Sequence, residues 1–180
     1  VANVNVSIGT RIFHVAILGA FLALALYFPY LWFGVTPFHT DVVVSAAEIE
    51  RLKVGADTTD YYAVELPAIS EEELTSQAEA FQWCRFCHTL EADGAHRVGP
   101  NLNRIFGQPI AVVSNFPYSD AFMEFQQPGV VWTPELMKAF IAAPHEMVPG
   151  NRMRYPPMIG YEMSEEKDNM IVEYLLRKTN

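Results

Sequence analysis

The first 35 residues carry no alternation of apolar and polar positions. From Ile12 to Val35, 20 of 24 residues are apolar, and His14, Gly19, Pro29 and Gly34 are the exceptions. None is Asp, Glu, Lys or Arg. A helix of this length rises roughly 36 Å, enough to cross a hydrocarbon core of about 30 Å. A helix packed in a soluble core would keep a polar stripe, and this one has none. Tyr27, Tyr30 and Trp32 near its far end suit an interfacial aromatic belt. A cleaved signal peptide, with Arg11 as its charged flank and Ala23-Leu24-Ala25 as its small-residue site, is the competing reading. The apolar run continues ten residues past that site, which favours a retained single-pass anchor over residues 1–35. Ala16, Gly19, Ala20 and Ala23 also place small residues at helical spacing, as helix–helix contacts in membranes do.

Beyond the span the pattern changes twice. Residues 36–70 read as a connector: Ser45 to Glu48 has the form of a capping box and predicts a short helix to about Lys53. Gly55 to Asp60 reads as a turn, and Tyr61 to Leu66 as an extended piece. A freely swinging tether is usually rich in Gly, Ser or Pro. This segment instead holds Val42–Val44, Tyr61, Tyr62 and Leu66. It is therefore expected to pack on a partner membrane subunit, with an arm folded onto its own neighbouring domain as the alternative. As a random coil, 35 residues would reach roughly 33 Å.

Residues 71–180 show helical periodicity broken by Gly/Pro/Asn-rich loops. Ser70, followed by three glutamates, starts a helix predicted over Glu71–Cys87. Thr133 with Pro134 behind it predicts a second, to Ala143. The last runs from Ser164 or Glu165 to Arg177, with Ile171, Tyr174 and Leu175 on one face. The predicted fold class is all-α.

The formal charge of −9 is unevenly placed. Residues 36–80 carry ten acids against Arg51 and Lys53, whereas residues 81–180 carry eleven acids and nine bases. The connector is the acidic part. Nothing is basic enough to suggest nucleic acid.

The two cysteines of the chain, Cys84 and Cys87, stand in the run Cys84-Arg85-Phe86-Cys87-His88. A C-x-x-C-H run is the attachment site of a c-type haem. Two thiols at this spacing can add to both vinyl groups of one porphyrin, and His88 is then placed to give its imidazole to the iron. A zinc site would need further Cys or His ligands at short spacing, but His14, His39, His96 and His145 stand far apart. A thioredoxin-like dithiol would need a βαβ setting, which the pattern lacks. Attachment of haem c occurs outside the bacterial cytoplasm. Arg11 precedes the span and the first charge after it is Asp41, so the positive-inside rule independently sends the haem domain to that side. The expected setting is a bacterial inner membrane, with the N-terminus cytoplasmic and the haem domain periplasmic.

The iron needs a second axial ligand. Met153, in the Pro149-Gly150-Asn151-Arg152-Met153 loop, is the candidate, since a thioether favours reduced iron and raises its potential. Met158 is its rival, with His96 and His145 behind it.

This half of the chain resembles a class I cytochrome c. The matching residues are Cys84–His88, Val98-Gly99-Pro100-Asn101-Leu102, Ile105–Gln108, Phe116–Ala121, Trp132 and Pro149–Met153. With the N-terminal anchor, the most similar type is the membrane-attached cytochrome c-y of photosynthetic and respiratory bacteria. The resemblance implies that the Pro100 carbonyl accepts from the His88 Nδ1–H. It also implies that Tyr118 and Trp132 donate to haem propionates, and that Phe81 packs on Tyr174 where the first and last helices cross.

Four features depart from the family pattern. Gln77 replaces a glycine, Gln108 an arginine near a propionate, and Phe140 a tyrosine beside the ligand methionine. The ring of docking lysines is reduced to Arg85, Arg97, Arg152 and Arg154.

With both axial sites filled, the expected role is one-electron transfer, with no enzymatic activity of its own and no small-molecule substrate. Electrons would pass from a quinol-oxidising complex of cytochrome bc1 type to a terminal oxidase or photosynthetic reaction centre. The alternative is a fixed haem subunit of a larger membrane oxidoreductase, and a weaker one is a peroxidase or gas sensor.

Overall fold

The computed structural model describes residues 8–33, 45–53, 57–153, 155 and 164–180. The chain divides into two compact units. One is built on α1 (Ile8–Phe33). Its side chains from Ile8 to Phe28 are all exposed, so no face is covered by protein. This helix is long and apolar enough to cross a membrane. It starts four residues earlier than the apolar run, which brings Arg11 into its first turns.

The other unit carries the remaining helices: α2 (Ala46–Lys53), α3 (Glu71–Phe81), α4 (Asp120–Phe125), α5 (Pro134–Ala142), α6 (Pro144–Met147) and α7 (Glu165–Thr179). Among the described residues there is no strand, only an isolated antiparallel bridge between Pro109 and Val131. The all-α expectation holds.

Helices α2, α3, α4, α5 and α7 start where the sequence provides a Ser or Thr cap. Ser70 accepts from the Glu73 amide while the Glu73 carboxylate accepts from the Ser70 amide, a complete capping box. Thr133 caps α5 with Pro134 at its first turn, and Ser164 caps α7. The Ser45 hydroxyl accepts from the Glu48 amide at 3.1 Å, as the predicted start of α2 requires.

Helices α3 and α7 cross with Phe81 against Tyr174, ring centroids 5.1 Å apart. Phe81, Ile171 and Leu175 are fully buried there. Gln77 does not prevent the crossing: its side chain runs along the interface, and Nε2 donates to Glu173 Oε2 at 2.7 Å. Helix α5 closes the core from the other side through Leu136, Phe140 and Ile141.

Two elements differ from their sequence patterns. The helix predicted to run to Cys87 ends at Phe81, and Cys84–Phe86 form a 3₁₀ turn. The Cys87 and His88 amides both donate to the Cys84 carbonyl, at 3.1 and 2.9 Å. Side chains three apart eclipse in 3₁₀ geometry, which turns Cys84 and Cys87 to one side. The piece predicted as extended from Tyr61 begins instead as a turn. The Asp57 and Asp60 carboxylates capture the Thr59 and Tyr62 amides, the local competition by which Asx residues displace extended backbone.

The described connector packs on its own haem domain, the second of the two readings its sequence allowed. Ile49 is buried, and the Lys53 ammonium sits 4.1 Å from the Phe125 ring centroid. Arg177 donates to the Pro67 carbonyl at 2.8 Å. The apolar residues that kept the segment from reading as a loose tether are partly spent here. Val42–Val44 lie outside the described residues.

Candidate functional site

The site grows out of the tight turn at the end of α3. His88 follows it, and its Nδ1–H donates to the Pro100 carbonyl at 2.8 Å. That bond fixes the tautomer and leaves the Nε2 lone pair for a metal. Burial holds the His88 pKa below its ordinary value, so the ring stays neutral and able to ligate. Burial also pushes the Cys84 thiol up to about 12.

The ring lies directly against Gly99. A Cβ there would come within 2.3 Å of His88 Cε1, so a side chain at 99 would displace the imidazole. Around it runs a lattice of Asn bonds. Asn101 Nδ2 donates to Thr89 Oγ1 at 2.7 Å and to the Glu91 carbonyl at 3.0 Å, and Asn103 Nδ2 donates to the Leu90 carbonyl at 2.8 Å.

His96 belongs to this lattice. Its Nδ1 accepts from the Asn101 amide at 3.1 Å and its Nε2 lies 2.8 Å from the Ser114 carbonyl. Both ring nitrogens are therefore engaged, which removes His96 from the candidate iron ligands. His145 lies half-buried on α6.

Met153 is half-buried, and its loop is organised by a residue that sequence reasoning missed. The buried Asn151 amide donates to the Pro144 and Val148 carbonyls at 2.5 and 2.8 Å, while its Oδ1 accepts from the Met153 amide at 2.7 Å. The only signal was the turn-forming run Pro149-Gly150-Asn151. Met158 and Arg154 lie outside the described residues.

Tyr118 and Trp132 come together through Phe122, which had not been singled out. Tyr118 stacks on Phe122 at 5.6 Å, and Phe122 lies 6.2 Å from Trp132 and 5.5 Å from Phe140. Trp132 and Phe140 are themselves 5.5 Å apart. The result is a nearly continuous aromatic wall. Tyr118 is half-buried, which raises its hydroxyl pKa, while the Val113 backbone bonds to that oxygen and opposes the rise.

This donor set suits a single iron held by one imidazole and a porphyrin. Among the described residues no three His, Cys, Asp or Glu side chains group as a metal cage. Paired thiols turned to one side, a neutral imidazole with one free nitrogen and an aromatic wall instead match a flat covalent cofactor.

Comparison with known proteins gives the same answer. No protein-family model matches the chain. It is 34% identical over 106 residues to cytochrome c2 of Agrobacterium tumefaciens, covering 59% of this chain and 92% of that one. It is 36% identical over 95 residues to cytochrome c of Kluyveromyces lactis, covering 52% and 79%. The chain belongs to the class I cytochrome c family. A cytochrome c homolog of Rickettsia bellii matches over a longer stretch, 27% identical across 143 residues, or 78% of this chain and 76% of its own. The cofactor of this cytochrome is one haem c, joined covalently through Cys84 and Cys87. It is a monohaem electron carrier that works with redox protein partners.

Proposed function

We propose that this cytochrome is anchored by α1 in a bacterial inner membrane, with its haem domain on the periplasmic side. It carries single electrons from a quinol-oxidising complex of cytochrome bc1 type to a terminal oxidase or photosynthetic reaction centre. The observation that carries the anchoring is α1 itself: 26 residues, exposed along its described length, with Arg11 near its start as the lone charge. Arg11 can snorkel from the first turns to the cytoplasmic interface.

In this reading His88 and Met153 would hold the iron. Bound haem c supplies exchange of one electron between ferrous and ferric iron. The chain's own residues set the conditions for it. The Pro100 carbonyl orients His88 and strengthens its donation, and Asn151 holds the backbone that presents Met153. Tyr118 and Trp132 would hydrogen-bond the propionates, so that buried charge would not be left unpaired.

A fixed subunit of a larger oxidoreductase is the second reading. It drew on the connector's apolar residues, and Ile49, Tyr61 and Tyr62 already meet the chain's own domain. Their placement favours the shuttle. The test uses membranes from a strain lacking this protein. Full-length holoprotein returned to them should co-sediment, be reduced by added quinol and be reoxidised by oxygen or light. A mature holoprotein whose intact mass lacks residues 8–33 would contradict the anchor. Purification in fixed stoichiometry with a dehydrogenase or oxidase would establish the second reading instead.

A further inference from the structure

We infer that Tyr62, in the connector, is a positioning residue of the haem pocket: its hydroxyl holds the Phe106–Gln108 loop and, through that loop, Trp132. The inference rests on the reading of this chain as a haem carrier with Trp132 at a propionate.

The argument is a chain of bonds. The Phe106 amide donates to the Tyr62 hydroxyl at 3.2 Å, across 44 residues of sequence. The next amide, Gly107, donates to the Trp132 carbonyl at 2.8 Å, and the Trp132 amide donates back to the Gln108 carbonyl at 2.9 Å. Trp132 is thus clamped at both its backbone groups by a three-residue loop whose first amide donates to Tyr62 of the connector.

Three further contacts make Tyr62 a built element. The Thr179 hydroxyl, at the end of α7, bonds to the Tyr62 hydroxyl at 3.3 Å, which ties the loop to the C-terminal helix. The Arg104 guanidinium lies 4.3 Å from the Tyr62 ring centroid, holding a residue whose φ of +47° is unusual outside glycine. Tyr61 packs on Phe106 at 6.0 Å and is itself bonded to Asp57. Gly107 has a φ of +78°, and its open side faces the Thr59 carbonyl and the Tyr61 ring. The loop is shaped to receive the connector.

The consequence reaches the iron through charge. A propionate stabilises ferric haem, and a donor bonded to it weakens that effect, so loosening Trp132 lowers the potential. Tyr62→Phe keeps the ring and removes the bond to Phe106. Trp132→Phe removes the propionate donor outright. Thr179→Val removes the other partner of Tyr62 while leaving Phe106 bonded.

The test measures midpoint potential and thermal midpoint of the full-length holoprotein. Trp132→Phe should lower the potential by about tenfold in the oxidation equilibrium, and Tyr62→Phe by about threefold, or ~28 mV at ~59 mV per tenfold. The double variant should match Trp132→Phe alone, because the two act in series. Thr179→Val should lower the thermal midpoint and leave the potential unchanged. A Tyr62→Phe protein that melts earlier at an unchanged potential would overturn the inference, as would full additivity in the double variant. A silent Trp132→Phe would instead overturn the propionate reading beneath it.

Discussion

The two segments proposed to hold the iron, at His88 and at Met153, are supported in different ways. On the His88 side, Pro100, Asn101, Asn103, Thr89 and His96 form a lattice in which the Asn101 and Asn103 side-chain amides satisfy backbone carbonyls 10 and 13 residues away. On the side assigned to Met153, among the described residues, one buried side chain, Asn151, makes three bonds within the loop. The difference teaches where the site can fail. The lattice around His88 is spread over several side chains, so most single losses there should be tolerated, whereas among the described residues the Met153 loop leans on the Asn151 side chain.

The comparison can be broken from the His88 side only by attacking the ring itself. Gly99→Ala places a methyl where the imidazole lies and should cost about 3 kcal/mol or more in stability, at the upper end of overpacking. The ferric spectrum should shift towards mixed spin, which absorption and electron paramagnetic resonance would detect. On the other side, Asn151→Ala should cost about 1–3 kcal/mol by denaturant unfolding, since it removes three side-chain bonds and leaves the Met153 amide without its acceptor, while the Pro144 and Val148 carbonyls keep the Val148 and Asn151 amides. It should also weaken methionine ligation, while Asn101→Ala spares it. Equal effects of the two Asn substitutions on the methionine absorption band would erase the asymmetry.

Asp168 sharpens the comparison from beneath the haem motif. It is buried on α7 with Oδ1 unpaired among the described residues. Burial lifts its carboxyl to about 6, against the pull of Lys138. Its unfolded pKa lies near 4, so the folded state binds the extra proton. That contribution is complete below about pH 4 and is lost as pH rises through about 6. Asp168→Asn should therefore stabilise the holoprotein at pH 7.5 by about 1–3 kcal/mol and flatten its melting profile between pH 4 and 7. A variant that melts earlier than the parent at pH 7.5 would show that the carboxylate is paired in solution. The smallest effect belongs to the exposed Arg85–Glu91 pair, where Glu91→Gln should leave the thermal midpoint nearly unchanged.

Local chemistry was legible in the sequence and long-range hydrogen bonding was not. The haem motif, the apolar span, the caps at Ser45, Ser70, Thr133 and Ser164, and the Phe81–Tyr174 crossing all follow from spacing, composition or family pattern. The 3₁₀ turn at Cys84 was hidden because a helical pattern does not reveal where its hydrogen bonding tightens from i−4 to i−3. Asn151 and Asn101 were hidden for another reason: a turn-forming Asn and a structural Asn read alike until the carbonyls they satisfy are known. Tyr62 was legible only as an apolar residue in a connector. Its partners, Phe106 and Thr179, are 44 and 117 residues away, and no local pattern encodes a bond across that distance.

The central claim is a haem c at Cys84 and Cys87 whose iron lies between His88 and Met153. Oxidised full-length holoprotein should show the weak red absorption band of methionine sulfur on ferric iron. Met153→Ala should abolish that band and lower the midpoint potential by a sizeable part of the ~0.8 V range that axial ligands command, while Met158→Ala leaves both in place. A band that survives in Met153→Ala and disappears in Met158→Ala would contradict the account.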